Sequence, residues 1–362
     1  MRIIHCADLH LDSKMTANLT KEQAKERKME ILNTFTRMVD YASENQIEVI
    51  LIAGDLFDTR NVSATARNAV RDAIEMHPQI DFLYLKGNHD NDNFLSRLEE
   101  IPQNLKLFSD TWKSYRYGSV VITGLELNRE NQITAYNSLV LSQDDYNIVT
   151  LHGQDSTYGV KDKAEVIAIS ELKNKNIDYL ALGHVHGYKK EQLDARGTYC
   201  YSGCLEGRGF DECKDKGFVV LDVDENTHQM THTFIPFANR QLYTLDVDVT
   251  DCMTSKEAAE RMEQVSNENG ISSRSLVKFV LVGNVDIECE MNLEYLAQLF
   301  QGKFYFEKVS DHTSLKIDYS DYEKDESLKG EFIRMVSNSD LDEQKKSEII
   351  RCGIQALSGE DI

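Results

Sequence analysis

The stretch VILIAGDLFD, residues 49–58, joins a short apolar run to a glycine and two carboxylates. Two similar stretches flank it, RIIHCADLH at residues 2–10 and DFLYLKGNHD at residues 81–90. Each apolar run has the length and composition of a buried β-strand, and each ends in a cluster of polar residues. The three stretches therefore predict three strands with polar side chains at their carboxyl ends.

The segments between these strands have helical periodicity, so the first 90 residues predict a βαβαβ unit. The predicted order is strand 2–7, helix 20–45, strand 48–53, helix 63–77 and strand 80–85. Thr20 and Gln23 have the spacing of a capping box at the start of the first helix. An apolar stripe on this helix should pack on the sheet; it consists of Ile31, Phe35, Met38 and Ala42.

From about residue 104 the sequence changes to short strands with few long helices between them. The predicted strands are 120–123, 147–151, 179–182, 198–201 and 217–223. We interpret them as a second sheet layered on the first. The predicted fold class is α/β, a two-layered β-sandwich flanked by helices, with a small α/β domain and a C-terminal helical tail.

Three domain ranges follow from the change of pattern along the chain. Residues 1–240 form the main domain, residues 241–320 a small α/β domain, and residues 321–362 a tail of two short amphipathic helices. A second candidate capping box, Thr254 with Glu257, begins a helix of the small domain.

The net charge of −21 argues against a freestanding high-affinity DNA binder, which would present clustered Lys and Arg to phosphates. Residues 241–362 contribute −12 of this charge, from 13 basic and 25 acidic side chains. Seven scattered cysteines fit reduced thiols better than a disulfide framework. A zinc site at Cys200, Cys204 and Cys213 lacks a convincing fourth ligand, so we interpret these residues as structural.

No apolar run approaches the roughly 18 residues that a membrane span needs. The residues that follow Met1 do not resemble a secretory signal. We therefore expect a cytoplasmic protein without a membrane partner.

Histidines and carboxylates follow five of the predicted strands, at the edge where ligand sites of open α/β sheets collect. Imidazole and carboxylate together suit Mn, Fe and Zn better than an all-oxygen site would. Any one of these short patterns is weak, because a lone D-x-H or H-x-H is commonly a surface or core pair. The ordered set is a strong signal for a pair of divalent metals, and it comprises Asp8, His10, Asp55, Asp58, Asn88, His89, His152, His184 and His186.

The order D-x-H, G-D-x-x-D, G-N-H-D, H and G-H-x-H resembles that of the calcineurin-like metallophosphoesterases. The variants HCADLHLD, AGDLFD, LKGNHD and LGHVHG are most similar to the SbcD-type DNA repair nucleases. The resemblance covers roughly residues 1–240, and residues 197–218 resemble the glycine-rich loop of that family. It implies the metallophosphoesterase fold, with residues 241–320 as a capping domain.

The resemblance also implies the role of each site residue. One metal would be held by Asp8, His10, Asp55 and His186, and the other by Asp55, Asn88, His152 and His184, with Asp55 as the bridge. His89 would bind the phosphate and protonate the leaving oxygen, and Asp58 would orient His89. A hydroxide held by the two metals would attack the phosphate.

The resemblance implies a manganese-dependent DNA nuclease that acts beside an SbcC-like ATPase, with Fe, Zn or Mg as alternative metals and a homodimer left open. The tail helices, with Ile350, Ile354 and Leu357 on the second, would dock that partner or pack on their own domain. Two other functions stay open: hydrolysis of a small phosphate ester, because one fold serves many substrates, and a metal-stabilised scaffold without activity. The presence of His89 argues against the scaffold.

Overall fold

The computed structural model describes residues 1–15, 19–58, 62–90, 94–98, 100–156, 166–225, 227, 229–316 and 319–357. The chain divides into two compact units, Met1–Gln241 and Leu242–Ile362. The three predicted domain ranges stay predictions. Among the described residues, none of the helices combines the length and apolar composition that crossing a membrane requires.

The first unit contains three α-helices and fourteen strands within the described residues. The helices are α1 Lys21–Glu44, α2 Ala64–Met76 and α3 Gln132–Ser138. The strands are β1 Arg2–Cys6, β2 Val49–Ala53, β3 Asp81–Leu85, β4 Leu105–Leu107, β5 Lys113–Tyr117, β6 Val120–Gly124, β7 Tyr146–His152, β8 Gln154–Asp155, β9 Val166–Ile167, β10 Tyr179–Gly183, β11 Lys189–Gln192, β12 Thr198–Tyr201, β13 Gly217–Asp224 and β14 Gln229–Pro236.

Two six-stranded sheets form the centre of this unit. The first has the order β14-β13-β1-β2-β3-β4 and the second the order β11-β12-β10-β7-β6-β5. Strands β1 to β4 run parallel to one another, as do β6, β7, β10 and β12 in the second sheet. The carboxyl ends of β1, β2 and β3 therefore lie at one edge of the first sheet, as the βαβαβ prediction requires.

Alternate residues of the central strands face different layers. On β1, Ile3 packs into the core between the sheets, and Ile4 packs into the core beneath α1 and α2. All five residues of β2 are buried, because both faces of a parallel sheet are covered. A third core, which includes Leu151 and Leu182, lies on the outer face of the second sheet. The predicted two-layered sandwich with flanking helices is confirmed.

Helix α1 forms where the sequence predicts it. Thr20 and Gln23 make both hydrogen bonds of the capping box. The four residues of the predicted apolar stripe are all buried, and Phe35 and Met38 are completely so. Burying side chains of this size contributes about 1.5–3 kcal/mol each, which attaches the helix to the first sheet.

One strand was assigned to the wrong sheet. The predicted strand at residues 217–223 belongs to the first sheet as β13, where it runs antiparallel to β1 and pairs Ile4 with Val220. The apolar pattern of a strand reports that both its faces are buried, but it does not report which neighbour it pairs with.

The second unit contains two small parallel sheets and four α-helices within the described residues. Its strands are β15 Leu242–Asp248, β16 Leu276–Val282, β17 Asn284–Asp286, β18 Phe306–Asp311 and β19 Ser314–Lys316, and its helices are α4 Ser255–Glu268, α5 Leu293–Phe300, α6 Leu328–Ser337 and α7 Glu343–Leu357. The larger sheet has the order β15-β16-β18, and the predicted capping box of Thr254 and Glu257 begins α4. On α7, Ile350 is buried in a small core with Ile333 and Val336 of α6. This face of the tail packs within its own unit.

Candidate metal centre

The predicted site residues lie at the carboxyl ends of five strands from both sheets. Asp8 and His10 follow β1, Asp55 and Asp58 follow β2, Asn88 and His89 follow β3, His152 ends β7, and His184 and His186 follow β10. Because the two sheets are layered with these ends at the same edge, all nine residues come together. The contacts between their side chains form one connected cluster.

Four of the seven predicted ligands have left-handed backbone conformations that side chains other than glycine rarely adopt. The φ angles are 52° at Asp8, 44° at His10, 54° at Asp55 and 93° at His184. Such conformations cost about 1–3 kcal/mol each and persist where the surrounding structure holds them. Backbone hydrogen bonds from Asp8 to Gly54 and from His10 to Asp55, both 3.0 Å, hold the first two loops together.

His10 and His186 point at each other. Their Nε2 atoms lie 3.1 Å apart. Nδ1 of His186 is 2.6 Å from a Glu212 carboxylate oxygen, and Nδ1 of His10 is 3.1 Å from Asp58. Since a neutral imidazole carries one proton, donation through Nδ1 to Glu212 leaves a lone pair on Nε2 of His186. Nδ1 of His10 makes no hydrogen bond with Asp58, and a proton on that nitrogen would leave a second lone pair opposite the first. Two facing lone pairs at this distance repel each other unless a proton or a cation lies between them.

His152 is held by the backbone of the first sheet. Its Nδ1 is 2.9 Å from the carbonyl oxygen of Ala53, to which it donates a hydrogen bond. Its Nε2 lies 3.0 Å from Oδ1 of Asn88, and Nδ1 of His184 lies 3.4 Å from the same oxygen. A backbone carbonyl therefore sets the orientation of His152 and aims Nε2 into the site, as is usual for metal-binding histidines.

Asp55 lies between these two groups of histidines. Its Oδ2 is 3.4 Å from Nε2 of His152 and 3.8 Å from Nε2 of His10, and its Oδ1 accepts the backbone N–H of His89 at 2.9 Å. Burial alone lowers the pKa of His152, but the Asp55 carboxylate raises it to about 9. The site thus stabilises a positive charge beside Asp55, the predicted bridging ligand.

Asp58 contacts more residues than the sequence predicted. Its Oδ1 lies 3.4 Å from Nδ1 of His89, but also 3.1 Å from Nδ1 of His10 and 3.4 Å from Arg208. Its Oδ2 accepts a 2.8 Å hydrogen bond from Ser13. Burial raises the pKa of Asp58, whereas His10, Ser13 and Arg208 lower it to about 2. The ionised carboxylate therefore contacts both the predicted acid and a predicted metal ligand.

The donor atoms fit a pair of divalent transition metals. Within the part of the chain that the structure describes, three groups have ligand atoms within 4.8 Å of one another: Asp8, His10 and His186; Asp8, Asp55 and His152; and His10, Asp58 and His89. Burial lowers the pKa of His10, and the Arg208 charge adds to this effect against the opposing carboxylates. A neutral His10 imidazole beside ionised carboxylates is a protonation state that binds metal.

Two carboxylates that shape the site were missed from the sequence. Asp90, the last residue of the G-N-H-D motif, accepts hydrogen bonds from the backbone N–H groups of Leu56, Phe57 and Gly87 at 3.0–3.2 Å. It thereby joins the loop after β2 to the loop after β3. The second is Glu212, in the loop between β12 and β13. Only an indirect argument predicts such a residue from the sequence: a metal-binding histidine normally donates its other nitrogen to a carboxylate or carbonyl.

Gly54 permits the close packing of the two sheets at this edge. Its φ of +95° is a conformation that glycine adopts at little cost, and an added Cβ would lie 2.1 Å from Nδ1 of His152. A side chain there would displace the imidazole. The absence of a side chain at Gly54 thus lets the backbone approach the site closely.

Residues 1–188, more than half of the chain, match the family model described as calcineurin-like phosphoesterase. The chain belongs to this family. Membership implies phosphoester hydrolysis at a dimetal centre, and the cluster above contains candidate ligands for both ions. The resemblance read from the motifs is confirmed.

Three relatives extend the comparison. The uncharacterized metallophosphoesterase YhaO of Bacillus subtilis is 29% identical over 238 residues, which span 62% of this chain and 57% of that protein. The DNA double-strand break repair protein Mre11 of Sulfolobus acidocaldarius is 23% identical over 317 residues, 83% of this chain and 79% of that protein. The SbcD component of the nuclease SbcCD of Staphylococcus epidermidis is 24% identical over 292 residues, 71% of this chain and 75% of that protein.

Proposed function

We propose that this chain hydrolyses phosphodiester bonds of DNA as the nuclease component beside an SbcC-like ATPase. The chemistry rests on one observation: the Nε2 atoms of His10 and His186 face each other at 3.1 Å, beside buried carboxylates. The choice of DNA is supported by the relatives named as Mre11 and as a component of the nuclease SbcCD. Their similarity covers 83% and 71% of the chain.

The residues would divide the work between two metal positions. Asp8, His10, Asp55 and His186 would hold one ion and Asp55, Asn88, His152 and His184 the other. The mixed imidazole and carboxylate donors suit Mn, Fe and Zn alike, and Mn²⁺ is the ion that the family resemblance implies. When bound, such ions lower the pKa of water and neutralise charge that develops on the phosphoryl group. The central position of Asp55 suits a carboxylate shared by both ions.

His89 would serve as the acid for the leaving oxygen. Its side chain is 47% exposed at the mouth of the cluster, whereas the side chain of His10 is 1% exposed. Asp58 contacts Nδ1 of His89 at 3.4 Å, which would leave Nε2 available to the substrate. A proton held there can pass to the departing alkoxide, and general acid catalysis of this kind contributes about 10²–10⁴-fold.

A second candidate is hydrolysis of a small phosphate ester. The net charge of −21 favours it, since the chain offers little positive surface to a polyanion. The nuclease proposal accounts for the same charge if the ATPase partner supplies the DNA-binding surface. The two candidate functions therefore predict different effects of the ATPase: the nuclease needs its DNA-binding surface, whereas hydrolysis of a small ester does not.

The decisive experiment compares substrates and partner. Purified protein with Mn²⁺ is assayed on radiolabelled DNA and on a chromogenic phosphodiester, with and without the ATPase, and His89→Ala is assayed beside it with its metal content measured. The nuclease proposal expects DNA cleavage that the partner increases, and a His89→Ala variant that keeps both metals but loses about 10²–10⁴-fold in rate. Hydrolysis of the small diester alone, with DNA untouched even with the partner, would favour the second candidate. Loss of a full metal equivalent in His89→Ala would overturn its assignment as the acid.

A further inference from the structure

His186 is enclosed by the loop between β12 and β13, residues 202–216. Its backbone carbonyl accepts hydrogen bonds from Nζ of Lys216 at 2.6 Å and from the backbone N–H of Cys204 at 3.2 Å. Its Nδ1 lies 2.6 Å from Oε1 of Glu212, which is buried to 7% exposure. One loop thus holds both the backbone and the ring of this predicted ligand.

The proton on His186 can be assigned from these contacts. Nδ1 has two neighbours, Glu212 at 2.6 Å and a guanidinium nitrogen of Arg208 at 3.2 Å. A guanidinium only donates and a carboxylate only accepts, so the shorter contact makes Nδ1 a donor to Glu212. The remaining nitrogen, Nε2, then has its lone pair directed at His10.

Arg208 connects this arrangement to Asp58. One of its terminal nitrogens is 3.0 Å from Oε1 of Glu212, and the other is 3.4 Å from Oδ1 of Asp58. Asp58 in turn contacts His10 and His89. A single cation therefore lies between two carboxylates that would otherwise repel each other near a predicted metal position.

Buried side chains of α1 hold this loop in place. Arg27 of α1, completely buried, contacts the Glu206 carboxylate at 3.2 Å and donates to the carbonyl oxygen of Gly207 at 2.9 Å. Glu206 also accepts a 2.8 Å hydrogen bond from Thr34. These buried contacts hold the backbone immediately before Arg208 in place, which limits the positions that its guanidinium can reach.

We infer that Glu212 and Arg208 are positioning residues, which hold His186 with Nε2 facing one metal position and link that position to the Asp58–His89 pair. The inference rests on the proposed two-metal function and assigns these two residues a role in it. It applies to one of the two ions only, because the orientation of His152 at the other position is set by the Ala53 carbonyl. Removing the Glu212 charge should therefore affect the two ions unequally.

The test is Mn²⁺ binding to the full chain, by calorimetry and by electron paramagnetic resonance, together with diester hydrolysis. Glu212→Gln keeps the shape of the side chain and should weaken one of two equivalents by about 10–100-fold, as loss of an outer partner typically does, while leaving the other unchanged. Arg208→Gln should weaken the same equivalent, and Arg208→Lys should restore part of the affinity because the charge returns. Asp211→Asn, an exposed carboxylate next to Glu212, is the matched control and should bind as wild type.

The outcomes separate the inference from the function on which it rests. Wild-type protein that binds fewer than two equivalents defeats the two-metal proposal itself. Two equivalents in wild type with unchanged binding in Glu212→Gln overturns the positioning role, as does an equal loss in Asp211→Asn. If thermal unfolding shows that Glu212→Gln does not fold, Arg208→Gln and Arg208→Lys decide, and unchanged binding in both overturns the inference.

Discussion

Replacing Gly183 by alanine should separate the two sheets at the metal centre. Gly183 is the last residue of β10 and pairs with His152. A Cβ added there would lie 2.0 Å from the carbonyl oxygen of Ala53 and 2.7 Å from Nδ1 of His152. These two atoms form the hydrogen bond that orients His152, so the new methyl would be inserted beside it.

The size of the effect follows from these distances. Ordinary contact begins at 3.4 Å, so the methyl and the carbonyl must move apart by roughly 1.4 Å within two packed sheets. Overpacking of this kind costs about 1–3 kcal/mol. Loss of the His152 hydrogen bond adds about 1 kcal/mol, so the free energy of unfolding should fall by about 2–4 kcal/mol. Metal ligands tolerate shifts of only about 0.2 Å, so the equivalent that includes His152 should weaken by at least tenfold.

Urea denaturation and Mn²⁺ titration measure the two effects in the same variant. Gly187→Ala is the control, because a Cβ at that position would meet no atom within 4 Å. The control should match wild type in both measurements. Gly183→Ala with wild-type stability and two wild-type metal equivalents would refute the reasoning, as would an equal change in Gly187→Ala.

Three further predictions test the site, the core and the partner. Asp55→Asn should weaken both Mn²⁺ equivalents and Asn88→Ala mainly one, because only Asp55 is proposed to bridge the two ions; equal losses in a titration would remove the case for a bridge. Burial lowers the pKa of His5 to about 3, below its unfolded value of about 6.5, so unfolding takes up a proton and stability falls as the pH drops through this interval. Between pH 7 and pH 5 His5→Phe should therefore lose about 2 kcal/mol less than wild type in urea denaturation, and equal losses contradict this. The isolated chain should cleave DNA weakly, because it offers few phosphate contacts. Leu328→Glu with Met335→Glu, on the exposed face of α6, should abolish stimulation by the ATPase without changing hydrolysis of a small diester. A double variant that still responds to the partner would exclude this face.

Local features of the chain were accessible from its sequence. The capping boxes of Thr20 and Thr254 depend on residues three positions apart, and the buried stripe of α1 depends on helical periodicity. The polar clusters at the carboxyl ends of the strands could be predicted for a similar reason. An apolar run followed at once by glycine and carboxylates has few other structural interpretations.

The shared role of Asp58 was not accessible. Its predicted contact with His89 is present, but the contact with His10 is shorter, and Arg208 joins the same oxygen from 150 residues away. No spacing rule relates these positions. A variant of Asp58 would therefore alter the contacts of a predicted metal ligand, His10, and of the predicted acid, His89, at the same time.

Residue types and their order along the chain were enough to predict the family, the layered α/β fold and the nine residues of the cluster, because each depends on short stretches whose meaning is local. The pairing of β13 with β1, the contact of Glu212 with His186 and the 3.1 Å approach of His10 to His186 were decided by tertiary structure. His10 and His186 are 176 positions apart, and only the packing of the two sheets brings their strand ends together. Periodicity and capping act over about four residues, whereas the separation between atoms that bind a metal depends on how whole layers pack.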